Sequence, residues 1–293
     1  MIHENLLRYR RARYLWWGLA LIAVSIAIYA VPPPTGARNG GTWQGYTLGT
    51  IGAALIAWLA WLGVRKRRYG RGVGTVQGWA SAHVYLGTAL LVVATLHAAF
   101  QVGWNVHTLA YALLCAVVVS GFYGVYVYLN HPRAMSQNRA GSAREALFAE
   151  LFALDAEGRK LAERCDPEVR TAVETSVART TVGGGVLAQL LGRDGSQFVN
   201  GGSAANGTAS NRDQQAVIDF VAERLPRASK RGEAATLDAL LGVLTRRQTV
   251  LRRIRTDIRL AAALEIWLYV HVPLSIALLG ALVVHVAVTF LYW

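Results

Sequence analysis

Residues 78–102 read GWASAHVYLGTALLVVATLHAAFQV, an almost wholly apolar stretch that nevertheless carries two histidines, His83 and His97. The two histidines are 14 residues apart (97 − 83). Over this distance an α-helix turns through about 1,400°, or nearly four full turns, so both imidazoles lie on nearly the same face. The rise is about 21 Å, most of the way across a hydrocarbon core of about 30 Å. As a membrane-spanning helix, this stretch presents one imidazole near each surface of the bilayer.

The apolar stretch 264–293 repeats this arrangement, because His271 and His285 are again 14 residues apart (285 − 271). A single intramembrane histidine is well explained by a hydrogen bond between helices. Four histidines, paired at identical spacing, require a common reason, since a buried polar group is costly in lipid. Ligation of haem iron by two neutral imidazoles is such a reason. The sequence therefore predicts two helices that hold two haems b between them.

The composition indicates a membrane protein. Of the 293 residues, 54% are hydrophobic and only 16% are charged, which is more apolar than an ordinary soluble domain. A formal net charge of +13 would suggest nucleic acid as the partner of a soluble protein. Here many basic residues flank apolar segments, where Lys and Arg set topology, so we expect membrane lipid and no nucleic acid. Cys115 and Cys165 lie in an apolar and a polar segment, and CxxCH is absent, so neither a disulfide nor covalent c-type haem is predicted.

Five apolar segments predict an all-α membrane protein with five transmembrane helices. A basic N-terminus precedes the first segment, as in a signal peptide. That segment is long for a signal peptide, however, and prolines follow at 32–34, which favours a retained helix. The predicted helices occupy 14–31, 46–64, 78–102, 107–129 and 264–293.

The long polar region between the fourth and fifth helices is predicted to be mainly helical, because apolar residues recur at helical spacing in 143–164 and 234–258. Its segment GSQFVNGGSAANGTASN, 195–211, is small, polar and Gly-rich, and predicts a flexible loop. The predicted domains are 1–129 with helices one to four, 130–262 as a helical cytoplasmic insert, and 263–293 with helix five.

Basic residues are distributed unevenly between the two sides of the predicted membrane. The N-terminal arm and the loop after the second helix carry nine (four plus five), whereas the loops on the other side carry only Arg38. The positive-inside rule then predicts a cytoplasmic N-terminus and a periplasmic C-terminus in a bacterial inner membrane. The third and fifth helices both run outward. His83 should therefore pair with His271 in the cytoplasmic half, and His97 with His285 in the outer half.

Residues around the histidines are candidates for supporting roles. Ser81 and Ser275 are candidate partners for the ring N–H that faces away from the iron. His107, at the start of the fourth helix, has three interpretations: a further ligand, a proton-handling residue for a quinol, and an interfacial histidine, which is favoured. Four arginines are candidates for binding haem propionates, with topology marking as the alternative and favoured role: Arg65, Arg68, Arg71 and Arg259.

The histidine-bearing stretches are similar to known membrane cytochromes. Two histidines with thirteen residues between them, repeated on two parallel helices, resemble the cytochrome b subunits of cytochrome bc complexes. The stretches GWASAHVYLG, LHAAFQVGWNVHTLAY, SGFYGVYVYL and WLYVHVPLSIALLGALVVHVAVTFLYW also resemble bacterial dihaem cytochromes b of the ferric-reductase-like kind. The resemblance covers the third to fifth helices, under a third of the chain. It implies haem b ligation by His83, His97, His271 and His285, and electron transfer across the membrane.

Two features of these cytochromes and reductases are missing from the sequence. The Pro-Glu-Trp-Tyr motif of quinol-oxidising cytochrome b is absent, so a bifurcating quinol site is not expected. No flavin- or nicotinamide-binding domain follows the spans, so a reductase of the NADPH-oxidase type is not expected either.

Because two axial histidines fill both open positions of haem iron, the pattern favours electron transfer over oxygen binding. We expect transfer between a quinone pool or a cytoplasmic-side donor and a periplasmic redox protein, such as a c-type cytochrome or an iron–sulfur protein. The chain would then be the cytochrome b subunit of an oxidoreductase complex. Two alternatives stay open. A histidine-lined metal-ion transporter predicts acidic intramembrane residues, of which only Glu265 stands at an edge. A membrane scaffold or sensor predicts that the polar region is the working part.

Overall fold

The computed structural model describes residues 6–33, 38–67, 74–139, 143–200, 207–228 and 231–291. Within these ranges the chain is almost entirely α-helical. The helices are α1 (Arg13–Ala30), α2 (Trp43–Arg67), α3 (Val76–His97), α4 (Val106–Arg139), α5 (Arg144–Ala162), α6 (Pro167–Ala178), α7 (Val186–Leu190), α8 (Gln215–Ala222) and α9 (Arg231–Leu291). Two short strands, β1 (Gln197–Val199) and β2 (Thr208–Ser210), form an antiparallel pair between α7 and α8.

Five of these helices, α1 to α4 and α9, contain a stretch that is long and apolar enough to cross a membrane. Their surfaces expose large apolar and aromatic side chains, among them Trp16, Trp17, Tyr126 and Phe290. Such surfaces are stable against hydrocarbon and its interface with water. The predicted fold class is therefore confirmed: the chain is an all-α, multi-pass membrane protein whose helices contact lipid.

Three helix ends differ from the predicted ones. Helix α3 ends at His97, not at 102, because Ala99 and Phe100 take left-handed backbone angles (φ 49° and 62°) that an α-helix does not contain. Helix α4 continues to Arg139, past the predicted end at 129. The fifth span is part of α9, which begins as early as Arg231, so it is continuous with the helical pattern of 234–258.

The chain divides into two compact units, Met1–Leu129 with Trp267–Trp293, and Asn130–Ile266. In the first unit, α3 packs closely along α1 and α2. Gly18 of α1 permits a close approach of α1 to α3, since a Cβ on Gly18 would lie 3.3 Å from the backbone oxygen of Tyr85. Towards α9, α3 presents side chains, and Leu90 and Leu278 meet in an apolar cluster.

The N-terminal end of α3 is fixed by polar contacts near the first histidine. The Thr75 hydroxyl caps the helix by accepting a hydrogen bond from the backbone N–H of Gly78 (3.1 Å). The same hydroxyl lies 2.9 Å from the Tyr9 hydroxyl. Two residues beyond His83, the Tyr85 hydroxyl donates to the backbone carbonyl of Leu7 (2.9 Å). The rotation of α3, and with it the direction of His83, is therefore set by the segment that precedes α1.

The second unit has an apolar core crossed by arginine side chains of α9. The core joins leucines of α5 to Leu251 and Ile254 of α9. The largest side chain buried there is Arg247, which is only 1% exposed. Its guanidinium donates hydrogen bonds to Asp155 Oδ1 (2.5 Å), Gln214 Oε1 (2.5 Å) and Thr180 Oγ1 (2.9 Å). A buried charge that is hydrogen-bonded through all three of its nitrogens ties the elements around it to one arrangement.

Arg255 of α9 makes a second bridge, to Asp194 in the loop before β1. Two guanidinium nitrogens lie 2.7 and 2.9 Å from the two carboxylate oxygens of Asp194, and the Asp194 side chain is only 7% exposed. Burial acts to raise the pKa of Asp194, but hydrogen bonds from Ser196 and from the backbone, with the Arg255 charge, outweigh it. The net pKa of Asp194 lies below its ordinary value, so the folded unit stabilises the ionised carboxylate.

The prediction that 195–211 is one flexible loop is wrong at both ends of the segment. Strands β1 and β2 pair there in the register Phe198 to Ala209. Phe198 is only 2% exposed and packs edge-on against Phe220 at a ring separation of 5.9 Å. One buried aromatic ring thus anchors a segment whose small polar composition predicts no structure. Residues 201–206 lie outside the described ranges.

Candidate functional site

The four intramembrane histidines meet across α3 and α9 as two pairs. The rings of His83 and His271, the first pair, have centroids 6.5 Å apart and planes inclined at 63°. The rings of His97 and His285, the second pair, are 5.9 Å apart and inclined at 77°. Because the earlier histidine of each helix faces the earlier one of the other, α3 and α9 run in the same direction here.

The ring separations can be compared with the geometry of two imidazoles on one metal ion. A metal–imidazole bond is about 2 Å long. A five-membered ring with bonds of about 1.35 Å has its centre about 1.15 Å from each atom. Two opposed imidazoles therefore have centroids about 6.3 Å apart, twice the sum of these lengths. The observed values of 6.5 and 5.9 Å lie on either side of that distance.

Backbone carbonyls of α2 fix the tautomers of both α3 histidines. The Nδ1 atom of His83 lies 3.2 Å from the Leu59 oxygen, and that of His97 lies 2.8 Å from the Gly45 oxygen. Since a carbonyl only accepts, each Nδ1 carries the proton and donates it. The neutral rings then carry their lone pairs on Nε2, the nitrogen that can bind a metal.

Ser120 of α4 has the same role towards His271. Its hydroxyl donates to the backbone carbonyl of Val117 (2.8 Å) and lies 2.8 Å from His271 Nδ1. With its proton committed, the Ser120 oxygen accepts the Nδ1–H of His271, so the lone pair of this ring also lies on Nε2. Three of the four histidines are therefore held in the form that metal-ligating imidazoles require.

The serines that the sequence suggested for this role do not perform it. Ser275 donates to the backbone carbonyl of His271 (2.7 Å) instead of contacting the ring. The Ser81 hydroxyl is buried and has no hydrogen-bond partner within the described part of the chain. Both candidates lie on the same helix as the histidine they were to support, whereas the partners of the α3 histidines are backbone atoms of α2 and that of His271 is on α4.

His285 has an imidazole as its Nδ1 partner. The Nδ1 atoms of His107 and His285 are 2.6 Å apart, and the two rings are nearly perpendicular at a centroid distance of 4.5 Å. His107 thus contacts the second pair. This contact differs from the favoured prediction of a histidine that only marks the membrane interface.

Glycines provide the space in which the histidine rings lie. A Cβ on Gly49 of α2 would come within 2.7 Å of His97 Cε1, and one on Gly40 within 3.6 Å. On α4, a Cβ on Gly121 would lie 3.7 Å from His271 Cε1. Gly45 and Gly49 are one helical turn apart, so the sequence does contain a signal for a close approach to α2.

Trp267 offers a polar atom beside the first pair. Its indole ring lies 5.5 Å from the His271 ring and against Gly124, where a Cβ would overlap it. The indole Nε1 is buried and has no hydrogen-bond partner within the described ranges. A buried donor without a partner is uncommon. This donor fits an anionic group, such as a haem propionate, bound beside His271.

The arginine candidates for propionate binding are only partly described. Arg65 donates to the backbone carbonyl of Gly74 (2.9 Å), so it links α2 to the residue that precedes the N-cap of α3. Arg68 and Arg71 lie outside the described residues. Arg259 belongs to the second compact unit, and its role towards a haem stays a prediction.

The comparisons with known proteins add no further assignment. No known protein family, curated protein or solved structure matches the chain. Within the described ranges no group of three or more His, Cys, Asp or Glu side chains is placed to hold a metal ion by itself. What the site presents is two facing pairs of imidazoles in an all-α membrane protein.

Proposed function

We propose that the chain is a dihaem membrane cytochrome b that carries electrons across the membrane. The observation that supports this most strongly is the tautomer and the spacing of the paired histidine rings. His83, His97 and His271 each donate Nδ1–H to an oxygen acceptor, and the rings of each pair are separated as two ligands of one metal ion are. Haem b, which needs two axial imidazoles and a flat space between helices, suits such pairs better than a small ion does.

In this proposal His83 and His271 hold one haem, and His97 and His285 hold the other. A haem with two imidazole ligands supplies one-electron transfer and has no open position for substrate. The chain's own residues orient the ligands. Leu59, Gly45 and Ser120 fix the ring directions and tautomers, and Trp267 would donate its indole N–H to an anionic group of a haem bound at the first pair.

The proposed path runs between the two membrane surfaces, because the pairs are about 21 Å apart along α3 by helical rise. The unequal distribution of basic residues supports a bacterial inner membrane with a cytoplasmic N-terminus and a periplasmic C-terminus. A quinone pool or a cytoplasmic-side donor would exchange electrons at one end. A periplasmic redox protein, a c-type cytochrome or an iron–sulfur protein, would do so at the other, with the chain as a subunit of an oxidoreductase complex.

Counting haem in purified variants tests the proposal. The native chain, expressed with sufficient haem, should contain two haems b per chain and show a b-type α-band after reduction. Replacing one histidine of a pair by alanine leaves one ligand, so His83→Ala and His97→Ala should each retain about one haem. The double variant should retain none.

Thr88→Ala provides the matched control on α3. Thr88 is exposed and donates to the backbone carbonyl of Val84 (2.9 Å), so this variant changes the helix but neither pair, and should keep two haems. A colourless native preparation would contradict the proposal. So would equal haem loss in Thr88→Ala and His83→Ala.

A further inference from the structure

The second histidine pair differs from the first in the chemistry that supports its ligands. His83, His97 and His271 donate Nδ1–H to oxygen atoms of Leu59, Gly45 and Ser120. His285 alone among the four has an imidazole, that of His107, at its Nδ1.

The local fold holds His107 in this position. Helix α4 begins at Val106, and Asn105 caps it by accepting a hydrogen bond from the backbone N–H of Thr108 (2.9 Å). His107 is therefore on the first turn of a capped helix, with little freedom of its backbone. From there its ring reaches His285 edge to face, with planes inclined at 85°.

The roles of the two imidazoles follow from the ligand role of His285. If Nε2 of His285 binds iron, its proton is on Nδ1, so His285 donates and His107 accepts through its own Nδ1. An imidazole nitrogen is a much stronger base than a carbonyl or hydroxyl oxygen. The hydrogen bond therefore draws the proton further from His285 and leaves that ring richer in electrons.

An electron-rich ligand stabilises oxidised iron relative to reduced iron, and hydrogen bonds behind the ligand are one means by which proteins set the reduction potential. Resting on the function proposed above, we propose that His107 is a positioning residue that lowers the reduction potential of the haem held by His97 and His285. The first pair has a hydroxyl oxygen and a carbonyl in the corresponding places, so the two sites differ in potential.

The test is a redox titration of the purified two-haem protein and of two variants. His107→Leu removes the acceptor, and one of the two transitions should move to higher potential while the other stays unchanged. We expect at least a tenfold change in the ratio of reduced to oxidised haem at a fixed potential, about 59 mV for one electron. His107→Gln offers an amide oxygen as a weaker acceptor and should give a smaller shift in the same direction.

Leu109→Ala is the control, because Leu109 is an exposed neighbour of His107 on the same turn of α4. Its titration should match that of the native protein. Two haems with unchanged potentials in His107→Leu would overturn the inference, as would equal shifts of both transitions. Loss of one haem from both His107 variants would also overturn it, since His107 would then be required for ligation. Loss of one haem from His107→Leu alone, with one transition shifted to higher potential in His107→Gln, supports the inference. Absence of haem from the native protein would refute the proposed function itself.

Discussion

Gly49→Ala is the substitution that probes the space around His97 most selectively. Gly49 lies on α2, and a Cβ at this position would be 2.7 Å from Cε1 and 3.0 Å from Nδ1 of His97. The colliding atoms belong to the end of a side chain, so the ring can move aside and the helices can remain packed. We therefore expect the variant to fold but to misplace one ligand.

The size of the effect follows from the contact distances. Ordinary van der Waals contact begins at 3.4 Å, so the His97 ring must move by about 0.7 Å (3.4 − 2.7). Metal–ligand bonds tolerate deviations of about 0.2 Å. Overpacking of this kind costs about 1–3 kcal/mol, which corresponds to a roughly 5- to 150-fold weaker hold on the ligand group.

The assay is haem content per chain, followed by redox titration. Gly49→Ala should lose haem from one site, and the transition that remains should be the one that disappears in His83→Ala. Gly63→Ala is the matched control on the same helix, because beyond its own stretch of helix backbone no atom of the described residues lies within 4 Å of a Cβ at Gly63. It should retain both haems.

Two results would refute this reasoning. One is a Gly49→Ala protein with two haems and native potentials, which would mean that the His97 ring does not need its present position. The other is equal haem loss in Gly49→Ala and Gly63→Ala, which would mean that glycine matters for α2 as a whole.

Three further predictions concern Trp267 and the second unit. Trp267→Phe keeps an aromatic side chain but removes the buried N–H, so haem should dissociate faster from the first pair only, as measured by transfer to apomyoglobin. Arg247→Ala removes a buried guanidinium, leaves the partly buried Asp155 without its partner and should destabilise the unit by about 3–5 kcal/mol, measured by amide hydrogen exchange. The lowered pKa of Asp194 adds stability above the pKa of the unfolded chain, about 3.9, and this stability is lost as the pH falls through the lower folded value. The protection of amide hydrogens from exchange, relative to their intrinsic rates, should therefore depend less on pH in Asp194→Asn than in the native protein over that acidic range.

Much of the membrane fold is predictable because lipid imposes simple rules. An apolar stretch of sufficient length must be helical there, since its backbone polar groups have no other partners. The pairing of the histidines also follows from their spacing along each helix. Identical spacing on two helices that run in the same direction brings His83 to His271 and His97 to His285. Tertiary packing decides the ends of the helices, as the left-handed residues Ala99 and Phe100 illustrate.

The supporting contacts are not predictable in this way. The carbonyls of Leu59 and Gly45 belong to the backbone, which is the same at every position of the sequence. Ser120 is one hydroxyl among many, and Ser275 has the more suggestive spacing on the same helix as His271. A contact between His107 and His285, 178 residues apart, depends on the packing of α4 beside α9, which no local pattern specifies.

In the second unit, the contacts that decide the structure are also not predictable from the sequence. No sequence pattern singles out Arg247 or Arg255 of α9, yet both are structural, since each bonds a carboxylate of another element. The buried Phe198 is hidden in a Gly-rich segment whose composition predicts a loop. In both cases long-range partners, not local composition, decide the structure.

Low-temperature electron paramagnetic resonance of the oxidised native protein, combined with haem quantification, tests the central claim most directly. The spectrum should show two low-spin haems per chain, each with two imidazole ligands. The signals should be strongly anisotropic, because the ring planes within the pairs are inclined at 63° and 77°. A protein that binds no haem when haem is plentiful, or whose haem is high-spin with one protein ligand, would contradict this claim.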